Sequence, residues 1–481
     1  MIVRHTLSYT AVKLLPAIAS MVALMLFTRL MSPDQLGEYS LTINAALVFV
    51  AILGNFLVIG LGRFEPATKS RFEREKLHST VLASAFLLNV FVGGFTLLLG
   101  VLDYLPDLSI NYVFFVVLFM VSLLLMMSQK LVNANLKPKA YGLSLALKNI
   151  LLLVIGVVSL LTGYGVHGVL IGMAVASLFA SLPALSLWAK TSWLYFDFRV
   201  LRELWSYGAP LTLLYLFVMI ISFSDRIFID ALLGSGAVGL YSAGYDLTQY
   251  SLALIPSIVH LAAFPVILKS YENDGEDAAR AYLSTSFRIL LLVTLPVTFG
   301  FIAVKEEVSA VFLGDAFSET SAFLIPVLSL SVLLSAVKSY YFDYAFQITK
   351  TTWLQSIPPM LAAVCNCVLN YFLIKRLGVI GAAYATMISY AAYLVLTIVL
   401  SRKVFRLPDF PWSFFVKVFL ASMAMMAMVV FSSFELPLIF SLLIKVIFGV
   451  SVFCILVLIF AKKELLVLLK DGAVVKNNVF S

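Results

Sequence analysis

Residues Tyr112–Leu131 read YVFFVVLFMVSLLLMMSQKL. No ionisable side chain interrupts the run from Val113 to Gln129. A helix needs about 20 apolar residues to cross the hydrocarbon core of a bilayer. Apolar runs of this length recur along the whole chain. They are expected at Ala11–Met31, Ser40–Leu61, Ser79–Leu102, Tyr112–Leu131, Tyr141–Leu161, Val166–Trp188 and Tyr207–Leu232, then at Leu240–Leu268, Leu283–Val304, Ala322–Phe346, Leu354–Ile374, Val379–Leu400, Phe414–Phe431 and Leu438–Ala461. The runs are continuous rather than alternating with a period of two, which favours helices over a transmembrane barrel. The expectation is an all-α polytopic membrane protein with about 14 transmembrane helices.

Composition agrees. The 481 residues are 62% hydrophobic and 12% charged, with a mean hydropathy of +1.04. Soluble domains carry about 25% charged residues. A soluble enzyme and a nucleic-acid-binding domain are therefore excluded as main readings. The +8 net charge is explained by topology. With the N-terminus in the cytoplasm, 22 of the 33 Lys and Arg fall in cytoplasmic segments and four outside, as the positive-inside rule requires. Both termini are then cytoplasmic. Connections of about 15–20 residues at most are expected, with no room for a soluble catalytic domain. Cys365, Cys367 and Cys454 lie in apolar runs without metal-ligand spacing.

The chain also repeats. LGEYS (Leu36–Ser40) follows span 1 and VGLYS (Val238–Ser242) follows span 7, offset by 202 positions. GVHGVLIGMA (Gly165–Ala174) and GVIGAAYATM (Gly378–Met387) are offset by 213. Pro16 and Pro210 sit early in spans 1 and 7. Six spans per copy is an even number, so the copies are parallel. The expected organisation is a six-helix half over 1–200, a second over 201–406, and two appended helices with a tail over 407–481.

Three strings carry a family resemblance: RLMSPDQLGEYS (Arg29–Ser40), DRIFIDALLGSGAVGLYSAGYDL (Asp225–Leu247) and NYFLIKRLGVIGAAYATMISY (Asn370–Tyr390). They resemble the polysaccharide transporter branch, which includes the O-antigen-type flippases, of the multidrug/oligosaccharidyl-lipid/polysaccharide exporter superfamily. The resemblance implies translocation of a polyprenyl-diphosphate-linked oligosaccharide from the inner to the outer leaflet of a bacterial cytoplasmic membrane. It implies alternating access and no catalysis. It implies no cofactor beyond a coupling ion, H+ or Na+. The partners implied are the lipid-linked glycan, membrane lipids and polysaccharide polymerase machinery, with no nucleic acid. An ion-coupled drug or cation exporter of the same superfamily is the alternative. A membrane glycosyltransferase or polymerase fits less well, because such enzymes place catalytic acids on substantial loops.

A charge inside the hydrocarbon costs at least about 2.5–3.5 kcal/mol and marks a candidate site. Arg226, in span 7, can contact a diphosphate through its guanidinium, or be neutralised by Asp225 and Asp230. Lys148 and Lys338 come from different halves and reach the inner part of the bilayer. They either form a cationic site or snorkel to the interface. Lys13 and Arg288 lie near cytoplasmic span ends, and Arg29 at the outer end of span 1, where a cation also suits the helix dipole. Asp225, Asp246 and Asp343 are the carboxylates expected to couple ions, or to act as buried partners of cations. Lys338 and Asp343 are five apart, an awkward spacing for pairing on a regular α-helix. His260 reads as a packing residue or a proton relay. Tyr340, Tyr341 and Tyr344 read as interfacial or as sugar-stacking side chains.

Overall fold

A computed structural model describes residues 18–105, 108–189, 191, 195–349, 351, 353–434 and 436–466. These residues are nearly all helical, with no strand among them. Twelve described helices are long and apolar enough to cross a membrane. They are α2 (Pro33–Ala67), α3 (Arg71–Val101), α4 (Tyr112–Ala134), α5 (Pro138–Leu161), α6 (Gly165–Trp188), α8 (Ser235–Asp274), α9 (Glu276–Ala303), α10 (Asp315–Ile348), α11 (Leu354–Leu377), α12 (Val379–Val404), α13 (Trp412–Val430) and α14 (Leu438–Phe460). The described part of helix α1 is Ile18–Leu30, and α7 (Phe198–Leu233) occupies the place of the expected seventh span. Lys13 and Pro16 lie outside the described residues.

The chain is thus a multi-pass membrane protein of all-α class. Its helices show this in how they leave apolar side chains uncovered. Phe86, Leu87, Val90 and Phe91 of α3, and Leu443, Ile447, Val450 and Leu458 of α14, are exposed. In water such faces would be a severe liability; against lipid tails they are at home. Buried positions carry many serines and threonines, among them Ser40, Thr42, Ser177, Ser329 and Ser389. Small polar residues let membrane helices approach closely and bond to one another or to their own carbonyls.

Most of the described helices are longer than the apolar runs. Span 2 was expected at Ser40–Leu61, and the helix covers Pro33–Ala67; span 7 was expected at Tyr207–Leu232, and the helix covers Phe198–Leu233. Apolarity marks only the part in hydrocarbon, while the backbone stays helical into the interface. The connections are correspondingly shorter than expected. Only Thr68–Ser70 separates α2 from α3, and Gly275 alone separates α8 from α9. Gly275 has φ +89°, which a residue without Cβ adopts at little cost.

The ends of the helices are specified locally. Ser32 caps α2: its Oγ accepts from the Gln35 amide at 3.3 Å, and the Gln35 side chain accepts from the Ser32 amide at 3.1 Å. Pro33 supplies the fixed φ favoured at a first helical position. Ser70 and Glu73 build the same reciprocal cap on α3. Single π turns interrupt α2 at Val50–Gly54 and α10 at Lys338–Phe342.

The described residues form two compact units. One contains those up to Ser242 together with Cys367–Ala382; the other contains Ala243–Asn366 and those from Ala383 onward. In the first, α5 packs on α6, α4 on α2 and α6, and the second part of α2 on α7. In the second, α9 is the centre: α8, α10 and α13 all pack on it, and α14 packs on α13.

Candidate functional site

The first unit holds a buried polar network where α2, α7 and the start of α8 meet. The recurring glycines explain how the backbones come so close. A Cβ on Gly37 would sit 1.9 Å from the Ser235 carbonyl oxygen, and a Cβ on Gly239 would sit 1.9 Å from the Pro33 carbonyl oxygen. Both pairs are related by the repeat offset of 202: position 33 corresponds to 235, and 37 to 239. Three residues further on, Ser40 Oγ lies 2.9 Å from Ser242 Oγ, a residue beside its own counterpart. The two LGEYS/VGLYS motifs therefore touch each other as equivalents.

Arg226 closes this seam. Its Nε donates to both Ser40 Oγ and Ser242 Oγ at 3.1 Å, and its Nη1 donates to the Ser222 carbonyl at 3.0 Å. Arg226 is 3% exposed. Beside it, Asp225 is fully buried and accepts from Tyr241 Oη at 2.6 Å and from Asn370 Nδ2 at 2.7 Å. Asp230 accepts the Ser109 amide at 2.6 Å, and Asp34 accepts the Ser235 hydroxyl at 2.8 Å.

Lys148 stands apart, in α5. It is half-buried and forms no hydrogen bond or ion pair to another described residue. At 1.5 Å per residue it lies about 15 Å along the helix from Pro138. The neighbouring Asn149 accepts from Ser20 Oγ at 3.3 Å, and Ser144 accepts from Gln129 at 3.2 Å, so this stretch of α5 faces polar groups of α1 and α4. Arg29 is exposed at the end of α1.

In the second unit, Lys338 and Asp343 are brought together by the π turn. The Asp343 amide donates to the Lys338 carbonyl at 3.0 Å, an i to i+5 bond. The widened turn places the two side chains on one side, and Nζ lies 2.7 Å from Asp343 Oδ2. The five-residue spacing that looks unfavourable on a regular helix is the spacing that a π turn aligns. Lys338 also donates to Tyr393 Oη at 2.7 Å. Lys338 and Asp343 are 6% and 5% exposed. His260 pairs with Tyr344 Oη at 2.6 Å and packs against Tyr340, so these tyrosines are engaged within the protein. Tyr341 stacks on Phe287.

The remaining candidates are dispersed. Asp246 is half-buried on α8. Arg288 is half-buried on α9, its Nε buried without a hydrogen-bond partner among the described residues. Lys417 pairs with Glu464, and Lys445 with Glu307. These pairs fasten the last two helices to their neighbours. Sequence reasoning passed over Ser40, Ser242, Tyr241 and Tyr393. The repeated Gly-x-Tyr-Ser was the available signal for the first three. It also missed the cluster in which Glu65 meets His78 at 2.8 Å, Asn135 at 3.0 Å and Arg74 at 3.3 Å.

Ionised and polar side chains buried in long apolar helices, on an all-helical frame, define a polytopic α-helical membrane protein. Residues 2–271, more than half of the sequence, match the family described as Polysaccharide biosynthesis protein, and the chain belongs to that family. It is 25% identical over 175 residues to a protein of Haloferax volcanii named "Probable low-salt glycan biosynthesis flippase Agl15", covering 36% of each chain. It is 23% identical over 194 residues to a "Putative O-antigen transporter" of Shigella flexneri, covering 40% of this chain and 45% of that one. The aligned stretches thus span less than half the length of these relatives. Among solved structures, "Lipid II flippase MurJ, inward closed conformation" superposes with a TM-score of 0.79 at 17% identity, covering 95% of this chain and 99% of that one. An inward-facing multidrug resistance MATE family transporter gives a TM-score of 0.65 at 14% identity, covering 81% and 94%. These two likenesses establish the fold.

Proposed function

We propose that the protein is a flippase that carries a polyprenyl-diphosphate-linked oligosaccharide from the inner to the outer leaflet of a bacterial cytoplasmic membrane. It performs no covalent chemistry. Family membership and the names of the relatives support the reading, and one observation of the molecule carries it: Lys148. An ammonium deep in a spanning helix, without an anionic partner among the described residues, is costly to maintain. It is stabilised whenever an anionic head group occupies the space beside it. An exporter of cations has no use for such a group.

In this reading Lys148, Arg226 and Lys338 meet the diphosphate in turn, with Lys13, Arg29 and Arg288 nearer the ends of the path. The two repeats rearrange to expose the head group first inside and then outside, with both termini cytoplasmic. A proton or sodium ion supplies the driving force, with Asp225, Asp246 and Asp343 as coupling carboxylates. Polysaccharide polymerase machinery takes up the product.

The test is translocation of a labelled polyprenyl-diphosphate oligosaccharide in proteoliposomes, scored by access of an added glycan-cleaving enzyme. Wild-type protein moves the label, and Lys148→Ala moves it at least tenfold more slowly at equal protein level. Unchanged transport in the variant removes Lys148 from the site. No transport of any glycan by folded protein turns the reading toward the small-molecule exporter.

A further inference from the structure

Where α12 ends and α13 begins, the second unit holds a cavity of about 430 Å³ that the transport reading does not use. Its floor is aromatic: Tyr341, Phe405 and Phe410. Its polar lining is Arg402, Arg406 and Asp409. The floor is braced. Tyr341 stacks on Phe287 with ring centres 3.8 Å apart and donates to the Pro408 carbonyl at 3.4 Å. Phe410 packs edge-on to Phe287 at 5.6 Å.

The arginines are available. Both are exposed, and neither forms an ion pair with a described residue. Arg402 ends α12, where the helix dipole favours a cation; Arg406 lies beyond the helix and has no such support. The level of the cavity in the bilayer is set by its neighbours. Trp412 is 67% exposed and packs on Phe410 at 4.5 Å, and an exposed tryptophan beside basic residues is the pattern of a membrane–water interface.

We propose that this cavity binds the head group of a membrane phospholipid. Two guanidiniums can bracket a phosphate by bidentate bonds. The Asp409 carboxylate leaves the lining with a net charge of +1, which matches a phosphodiester monoanion and under-compensates a diphosphate. It also supplies an acceptor for a head-group hydroxyl or ammonium. The acyl chains then lie along the exposed apolar faces of the neighbouring helices. A soluble anion meets the same guanidiniums but gains nothing from the interfacial position.

The experiment is native mass spectrometry of the full-length protein in detergent, titrated with dioctanoyl phosphatidylglycerol, dioctanoyl phosphatidylethanolamine and inorganic phosphate. The expected result is saturable binding of at least one lipid, weakened at least tenfold in the double variant Arg402→Gln/Arg406→Gln. Lys403→Gln, which removes an adjacent charge outside the lining, retains binding within twofold. Equal binding by the double variant overturns the proposal. So does an equal loss in Lys403→Gln, which would mean general surface charge. Displacement of the lipid by inorganic phosphate at equal concentration would assign the cavity to a soluble anion and overturn it too. Circular dichroism and gel filtration establish that the variants fold. Should the double variant fail to fold, Arg406→Gln alone decides: a loss of at least threefold supports the site, and no loss overturns it.

Discussion

Lys338 shows how a single side chain depends on its backbone. Its ion pair with Asp343 is buried, and the ammonium donates a further hydrogen bond to Tyr393 Oη. Removing one member of such a pair strands the other charge, at a cost of roughly 3–5 kcal/mol, whereas removing both can be nearly neutral. Lys338→Met and Asp343→Asn are therefore each expected to lower thermal stability strongly in detergent, and the double variant to be more stable than either. A strictly additive double variant would mean that the pair does not act as a unit. Arg226 obeys a different rule, because it bonds neutral hydroxyls and a carbonyl as well as lying in a charged neighbourhood. Arg226→Lys keeps the charge and loses the geometry that reaches Ser40 and Ser242 together. It is expected to lower stability by about 1–3 kcal/mol and transport with it, measured by melting temperature and by the proteoliposome assay.

At the scale of elements, the glycines of α2 and α8 are the sensitive points. Gly37→Ala and Gly239→Ala each drive a Cβ into a backbone carbonyl that cannot turn away. Both are expected to destabilise, and to similar degrees, since each meets the counterpart of the other's obstacle. Gly94 of α3 has open space around it, so Gly94→Ala is expected to be neutral or to stabilise by up to about 1 kcal/mol, as in any helix interior. Comparison of the three melting temperatures checks this. The start of α7 offers a pH-dependent tie. Asp197 caps that helix and pairs with Lys76. Its carboxyl is held below the usual range by the hydrogen bond from Lys76 and the amide of Arg199. A carboxyl lowered on folding contributes stability above its unfolded pKa and loses it as pH falls through its folded pKa. The melting curves of wild type and Asp197→Asn should differ at neutral pH and converge in the acid range. Element existence was legible in the apolar runs, whereas the helix ends were not. Ser32 and Ser70 set those ends by hydrogen bonds, to which hydropathy is blind. The π turn at Lys338 was likewise illegible, because it is a choice of backbone register and leaves no trace in apolar periodicity.

For the whole molecule, the distribution of Lys and Arg makes a testable prediction about orientation. The excess of Lys and Arg on alternate connections predicts cytoplasmic termini. In a variant lacking Cys365, Cys367 and Cys454, a cysteine at Asp277, in the first turn of α9, should resist a membrane-impermeant maleimide added to intact cells. One at Ser433, between α13 and α14, should react. The reverse pattern would invert the topology. The candidate site was legible only as residue types. Arg226 and Asp225 stood out because charge is rare in apolar runs, while their partners Ser40, Ser242, Tyr241 and Asn370 are ordinary in any helix and gain meaning only from three-dimensional placement.

The seam at Gly37 and Gly239 bears on descent. Ser40 faces its own equivalent, Ser242, and the contacts Gly37–Ser235 and Gly239–Pro33 are exchanged for one another by the 202-residue offset. Two separate copies of one half, meeting about a two-fold axis, would make the same contacts, because an isologous interface pairs a surface with itself. A tandem duplication that joined such copies would have inherited an interface already complete. It would also have inherited a constraint. Under that history a mutation in one copy of the motif would change only one side of the joint, and the close approach at Gly37 and Gly239 would call for glycine in both.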